Sequence, residues 1–338
     1  MDATTQRITL EGPSSGVSSL AFSPIYGNVL AAASKRTLFF INTWNYHATR
    51  PIGFVHLPLA INDFTWDQHG REVVSCARYG KIWRTDVEKS YHASEIDVKT
   101  ATTTFKHGIE AESDLFSIAY NSDAHLIATG TKDGFLYIAD ARINTVVETV
   151  PINRRDFTIS SIAFSPKHRE CAVASMEGLI RIYDLRMALA EKLPKRFCSR
   201  VECSHYVSAE NGHSREGYHA DLTPIVSVSY VDGNRLLAGF ATGTVVAYDH
   251  DGHVKKHMKT QRQDRCVAFK FRRNPWKYAD VITGSESGYI VALSSGRMQA
   301  DRRHKAHTGS ISALDVHPTK QIVASAEAKR AEIRVSNY

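Results

Sequence analysis

The residues best equipped for chemistry gather in one stretch: Cys198, Cys203, His205, His213 and His219. Thiolate and imidazole are the donors zinc prefers, four of them converging as a tetrahedron, often in pairs close in sequence. The spacing here, Cys-x4-Cys-x-His, matches that pattern poorly. In a strand, Cys198 and Cys203 would also point to opposite faces. No metal site is expected. Nor does the chain carry a nucleophile elbow, a P-loop, a metalloprotease helix or a Rossmann glycine pattern. No catalytic residue and no cofactor is assigned, and the chain is expected not to be an enzyme. The five cysteines (Cys76, Cys171, Cys198, Cys203, Cys266) are odd in number and scattered. That usage fits reduced thiols in the nucleus or cytoplasm and a protein that is not secreted.

Charge is the other chemical resource. The formal net charge is +7, yet thirteen Lys/Arg stand against four acids between His253 and Lys305. The rest of the chain is therefore slightly acidic. A basic sector favours an acidic partner, whether nucleic acid, an acidic peptide or a phosphorylated surface. The plainer reading is that these charges solvate outer strands.

The elements that must position these groups follow a sevenfold rhythm. Its openings are GVSSLAFSP (Gly16–Pro24), AINDFTW (Ala60–Trp66), DLFSIAY (Asp114–Tyr120), TISSIAFSP (Thr158–Pro166), IVSVSY (Ile225–Tyr230), RCVAFKF (Arg265–Phe271) and GSISALDVHP (Gly309–Pro318). Each leads into a run of small and apolar residues such as LAAAS, IATGT or LLAGF, then a turn and a third strand. The turn residues Arg36, Gly80, Gly134, Gly178, Gly243, Gly288 and Ala331 are 44, 54, 44, 65, 45 and 43 residues apart. A unit of 40–45 residues holding four short strands is the propeller-blade period. Alternation along Val17–Phe22 supports strand over helix. Small residues in the second strand suit a crowded place between blades.

These phrases resemble the WD-repeat family over essentially the whole chain. Ile182-Tyr183-Asp184-Leu185-Arg186 and Ala247-Tyr248-Asp249 look like that family's closing strand, and Thr131-Lys132-Asp133-Gly134 like its turn. No repeat closes on Trp, and His107, His219 and His307 best match the histidine that precedes each repeat. The resemblance implies an all-β fold: a seven-bladed β-propeller of four-stranded antiparallel blades. The N-terminal strand Gln6–Leu10 would complete the last blade and remove an exposed edge. Residues 1–338 then read as a single domain. No apolar stretch is long enough for a membrane span, and the first residues lack a signal-peptide core.

Two intervals exceed the period. Val87–Ser113 holds Thr102-Thr103-Thr104, which suggests a strand. Met187–Leu222, between blades four and five, must hide one outer strand near Phe197–Cys203 and carries extra chain beyond it. A further likeness is local: Phe271-Arg272-Arg273 resembles the FRRG signature of phosphoinositide-binding propellers, with Asn274 in place of glycine. The last blade is similar to that of WD-repeat scaffolds in histone-methyltransferase complexes, and the opening blade to mitotic-checkpoint and mRNA-export propellers. Both lean towards nuclear assemblies.

In a propeller the b–c turns and d–a loops share one face. The rhythm places Lys35, Arg36, Arg78, Tyr79, Lys132, Arg154, Arg155, Phe157, Arg262, Arg265, Lys329 and Arg330 there, diluted by Asp133, Asp156, Glu177 and Asp264. Arginine beside aromatics is the composition of binding hot spots. The expected function is a non-catalytic scaffold or adaptor, monomeric itself within a multiprotein complex, that holds acidic or phosphorylated protein segments. Nucleic-acid contact through the basic sector is the alternative, and phosphoinositide binding a minor one.

Overall fold

The computed structural model describes residues 5–10, 16–43, 51–88, 102–104, 113–121, 123–152, 158–167, 169–185, 199–204, 223–232, 235–249, 252–259, 264–271, 281–294 and 299–337. Their strands form seven four-stranded antiparallel sheets. Strand β1 (Thr5–Thr9) comes before blade 1, which is β2 (Ser19–Phe22), β3 (Val29–Ser34), β4 (Thr37–Asn42) and β5 (Gly53–His56). Blade 2 is β6 (Ile61–Trp66), β7 (Glu72–Ala77), β8 (Ile82–Asp86) and β9 (Thr102–Thr104). Blade 3 is β10 (Leu115–Asn121), β11 (Leu126–Thr131), β12 (Phe135–Asp140) and β13 (Thr145–Pro151). Blade 4 is β14 (Ile159–Phe164), β15 (Glu170–Ser175), β16 (Leu179–Asp184) and β17 (Ser199–Ser204). Blade 5 is β18 (Ile225–Asp232), β19 (Arg235–Phe240), β20 (Thr244–Tyr248) and β21 (Val254–Lys259). Blade 6 is β22 (Cys266–Phe271), β23 (Val281–Ser285), β24 (Tyr289–Ser294) and β25 (Gln299–Lys305). Blade 7 is β26 (Ile311–Val316), β27 (Ile322–Glu327) and β28 (Glu332–Asn337), completed by β1.

The closure expected from the sequence is present. Strand β1 pairs antiparallel with β28 from Thr5↔Ser336 to Thr9↔Glu332, and Leu10 N–H donates to the Ala331 carbonyl at 2.9 Å. Ile8 and Leu10 bury fully beside Ile333 and Val335 in the cluster that joins blade 7 to blade 1. The hidden outer strand of blade 4 is β17, which starts two residues after and ends one residue after the expected bounds, and β9 is the threonine strand. The rest of the Met187–Leu222 interval lies outside the described residues.

Each inner strand carries two apolar residues three apart, such as Ile61/Phe64, Ile159/Ile162 and Ile311/Leu314. Strict alternation would send such a pair to opposite faces, yet each pair sits in a single core cluster. A β-bulge between the first and third residues of β6, β10, β14, β18, β22 and β26 explains this. The extra residue resets the phase, so both apolar side chains reach the space between blades. That space is where the core lies, and second-strand residues must be small to leave room. A β-carbon added at Gly239 would fall 2.5 Å from the Phe269 ring of the next blade, and one at Gly284 2.8 Å from Ile311.

Candidate interaction site

Antiparallel order puts the start of each first strand, the end of the second, the start of the third and the end of the fourth on one side of the ring. The b–c turns and d–a loops therefore converge there. Blade 1 shows how a turn is held. The d–a loop donates Leu57 N–H to the Arg36 carbonyl and Ile61 N–H to the Lys35 carbonyl, both at 2.7 Å. Lys35 and Tyr79 adopt positive φ, 50° and 55°, so these tight turns close without glycine at those positions. With the backbones tied inward, the side chains of Lys35, Arg36, Arg78, Tyr79, Lys132, Arg265, Lys329 and Arg330 are exposed on this face. Arg154, Arg155, Phe157 and Arg262 lie outside the described residues.

The described cations are not spread evenly. Blades 7, 1 and 2 contribute Lys329, Arg330, Lys35, Arg36, Arg78 and Lys81, the last exposed in the same turn as Arg78 and missed in the sequence reading. Blades 3 to 6 set Lys132 and Arg265 among Asp133, Glu177, Asp264 and the exposed Glu286. The face thus has a basic arc and a mixed arc. Within the basic arc, Arg78 Nε lies 3.8 Å from Asp114 and Arg330 Nε 3.9 Å from Glu327. Both arginines are mostly in water, so these pairs hold them weakly.

The inner strands enclose a central channel of about 650 Å³. Its wall is sewn from blade to blade. Ser18 Oγ donates to the Ile61 carbonyl at 3.1 Å, Asn62 Nδ2 to that of Leu115 at 2.6 Å, and Ser312 Oγ to that of Val17 at 2.6 Å. In blade 3 the corresponding residue is Phe116, and its neighbour Ser117 supplies the bond instead, to the Ile159 carbonyl at 3.2 Å. Two carboxylates join the wall: Asp315 accepts from Phe22 N–H at 2.6 Å and lies 3.5 Å from Lys270 Nζ. Asp63 accepts from Ser19 Oγ at 2.9 Å and from Ile118 N–H at 3.3 Å. Burial lifts its carboxyl above the ordinary carboxylate range despite those donors.

Where blade 6 meets blade 7, a buried polar group has the look of a catalytic triad. His307 Nε2 is 2.9 Å from Ser325 Oγ, and its Nδ1 is 3.9 Å from Glu327 Oε2. Glu327 accepts from Thr308 Oγ1 at 3.4 Å. Ser325 and His307 are each only 1% exposed, so no substrate could reach the hydroxyl. The pair ties the loop before β26 to β27. Burial first, and the nearby Arg334 guanidinium second, bring the imidazole down to about 4. Cys76, Cys171 and Cys266 are buried free thiols, and burial raises Cys76 and Cys171 away from the reactive thiolate. Among the described residues no group of three or more His, Cys, Asp or Glu is placed to hold a metal ion. The Cys198/His205/His213/His219 constellation, His107, Arg272 and Arg273 lie outside them, and only the backbone of Cys203 is described. Among the described residues no helix is long and apolar enough to cross a membrane.

Seven four-stranded blades, closed in the last by the N-terminal strand, define a divergent β-propeller of WD-repeat type. Residues 17–194, more than half of the chain, match the family described as Nucleolar protein 10-like, N-terminal domain, and the chain belongs to that family. No curated protein matches it. A propeller of this family suggests an interaction scaffold.

Proposed function

We propose that this chain is a non-catalytic scaffold subunit of a nuclear multiprotein assembly, one ring that grips an acidic or phosphorylated protein segment on its b–c/d–a face. One observation carries the reading: turns from blades 7, 1 and 2, distant in sequence, present exposed Lys and Arg side by side on backbones fixed by cross-loop hydrogen bonds. Such a surface contacts a flexible segment at several points with little ordering cost on its own side. Guanidinium groups meet carboxylate or phosphate through paired hydrogen bonds. The name of the matched family, which speaks of a nucleolar protein, supports the nuclear location. Charge reversal at Arg36 and Arg330 tests the reading through native-level purification and mass spectrometry. Loss of a specific co-purifying protein, with the melting temperature unchanged, is expected. Retention of every partner after reversal across the whole arc would refute it.

A second reading, nucleic-acid contact, is favoured by the outer strand of blade 6. There Arg302, Arg303 and Lys305 are exposed, and the Arg303 guanidinium stacks 3.8 Å above the Tyr289 ring. Binding to a 20-mer RNA should then weaken steeply with salt, with a slope set by the number of phosphates neutralised. A flat response, or no binding at low salt, discards this reading.

A further inference from the structure

The bulged residue at the head of each inner strand, the second in six of them and the one just before β2 in blade 1, stands at the channel mouth on the b–c/d–a side. Round the ring these are Ser18, Asn62, Phe116, Ser160, Val226, Val267 and Ser312, all lining the cavity. Phe116 breaks the pattern. It is 42% exposed and has no place in the core cluster that holds its neighbours Leu115 and Ile118. The inter-blade bond made by Ser18, Asn62 and Ser312 has passed to Ser117. The fold therefore leaves much of this ring in water and forgoes the gain that full burial would bring. Met176, Val226 and Val267 line the same mouth, so blades 3 to 6 give it an apolar lining, interrupted by Ser160, that faces Ser312, Ser18 and Asn62. Asp114, two residues before Phe116, is the partner of Arg78, so the apolar lining adjoins the end of the basic arc.

We propose that Phe116 is the apolar anchor of this face. With Met176, Val226 and Val267 it receives one hydrophobic side chain of the partner protein segment, while acidic residues flanking that side chain lie on the arc of blades 7, 1 and 2. The proposal rests on the acidic-segment reading above and adds to it what the segment must carry at its centre. Aromatic anchors beside arginine, walled from water, are where binding energy concentrates.

The test uses two fluorescein-labelled peptides at low salt, four glutamates on either side of a central leucine or a central serine, read by anisotropy on the full chain. The leucine peptide should bind about tenfold tighter, the return on burying one aliphatic side chain. Phe116→Ser should erase that preference while leaving the serine peptide's affinity unchanged. Serine already occupies this bulge in blades 1, 4 and 7, so the variant keeps a residue the fold accepts. Val226→Thr gives a second, milder reduction in the same ratio should Phe116→Ser melt early. Equal affinities in the wild type overturn the anchor but leave the acidic-segment reading standing. Failure of both peptides to bind overturns both. An oligouridine RNA whose binding Phe116→Ser abolishes would show the ring stacking bases, and overturns the protein anchor.

Discussion

His307 is one of the histidines that the repeat resemblance singles out, and in place it ties the loop before β26 to β27 through Ser325. Its lowered pKa sets a stability signature with a definite sign. Between 6.5 and about 4 the unfolded chain takes up a proton that the folded imidazole refuses, so stability falls as pH drops through that window and levels off below it. The loss amounts to roughly 3 kcal/mol for one such group. His304, lowered in the same sense by burial, adds to the trend. The measurement is therefore a difference: urea unfolding of wild type and His307→Gln from pH 7 to 4. The variant should be less stable at pH 7 but show a shallower decline, and parallel curves would contradict the assignment. Phe116 is the converse case. In the run DLFSIAY it reads as one more apolar letter, and only the bulge and the ring reveal that it faces water.

Elements explain what could and could not be read beforehand. The number of strands, the antiparallel order, the closing strand and even β17 were legible, because each rests on local alternation, turn residues and a repeat that recurs seven times. The bulge was not. The run Val17–Phe22 reads as simple alternation, and the phase reset appears only when β2 is paired with β3, where Ser18 and Ser19 both address Ala33. The small second-strand residues were legible as crowding, and their partners became clear with the neighbouring blade in place. Gly239→Val tests that crowding: with Phe269 2.5 Å from the added β-carbon, a loss of about 1–3 kcal/mol is expected in chemical denaturation. Shortening the opposing side chain by Phe269→Leu in the same chain should recover part of it. Strict additivity of the two losses would place the strain elsewhere.

At the scale of the whole molecule, the division of the interaction face into arcs was hidden for a geometric reason. The residues that form the basic arc come from the two ends of the chain, Lys35 to Lys81 and Lys329 to Arg330, and become neighbours only because the ring closes. The cation-rich stretch from His253 to Lys305 drew the eye instead, yet much of its described charge, Arg302, Arg303 and Lys305, lies on the outer strand of blade 6. Interface and rim are thus separable by mutation. Reversal at Arg36 and Arg330 is expected to act on protein capture, and reversal at Arg302 and Arg303 on any binding of RNA.

Closure also has a mechanical side. Thr5 pairs with Ser336, so the start of β1 and the end of β28 lie side by side at one end of the last blade. A force drawing them apart peels β1 from β28 one residue pair at a time, as a zipper opens, without loading all five pairs together in shear. Pulled from its ends in optical tweezers, the ring should yield first at low force and by a short step. The join of blade 7 to blade 1 would then rest on the Ser312–Val17 and Phe22–Asp315 hydrogen bonds and on what is left of the shared core cluster. Shear-like resistance at that first step would mean that β1 is not the first element to yield.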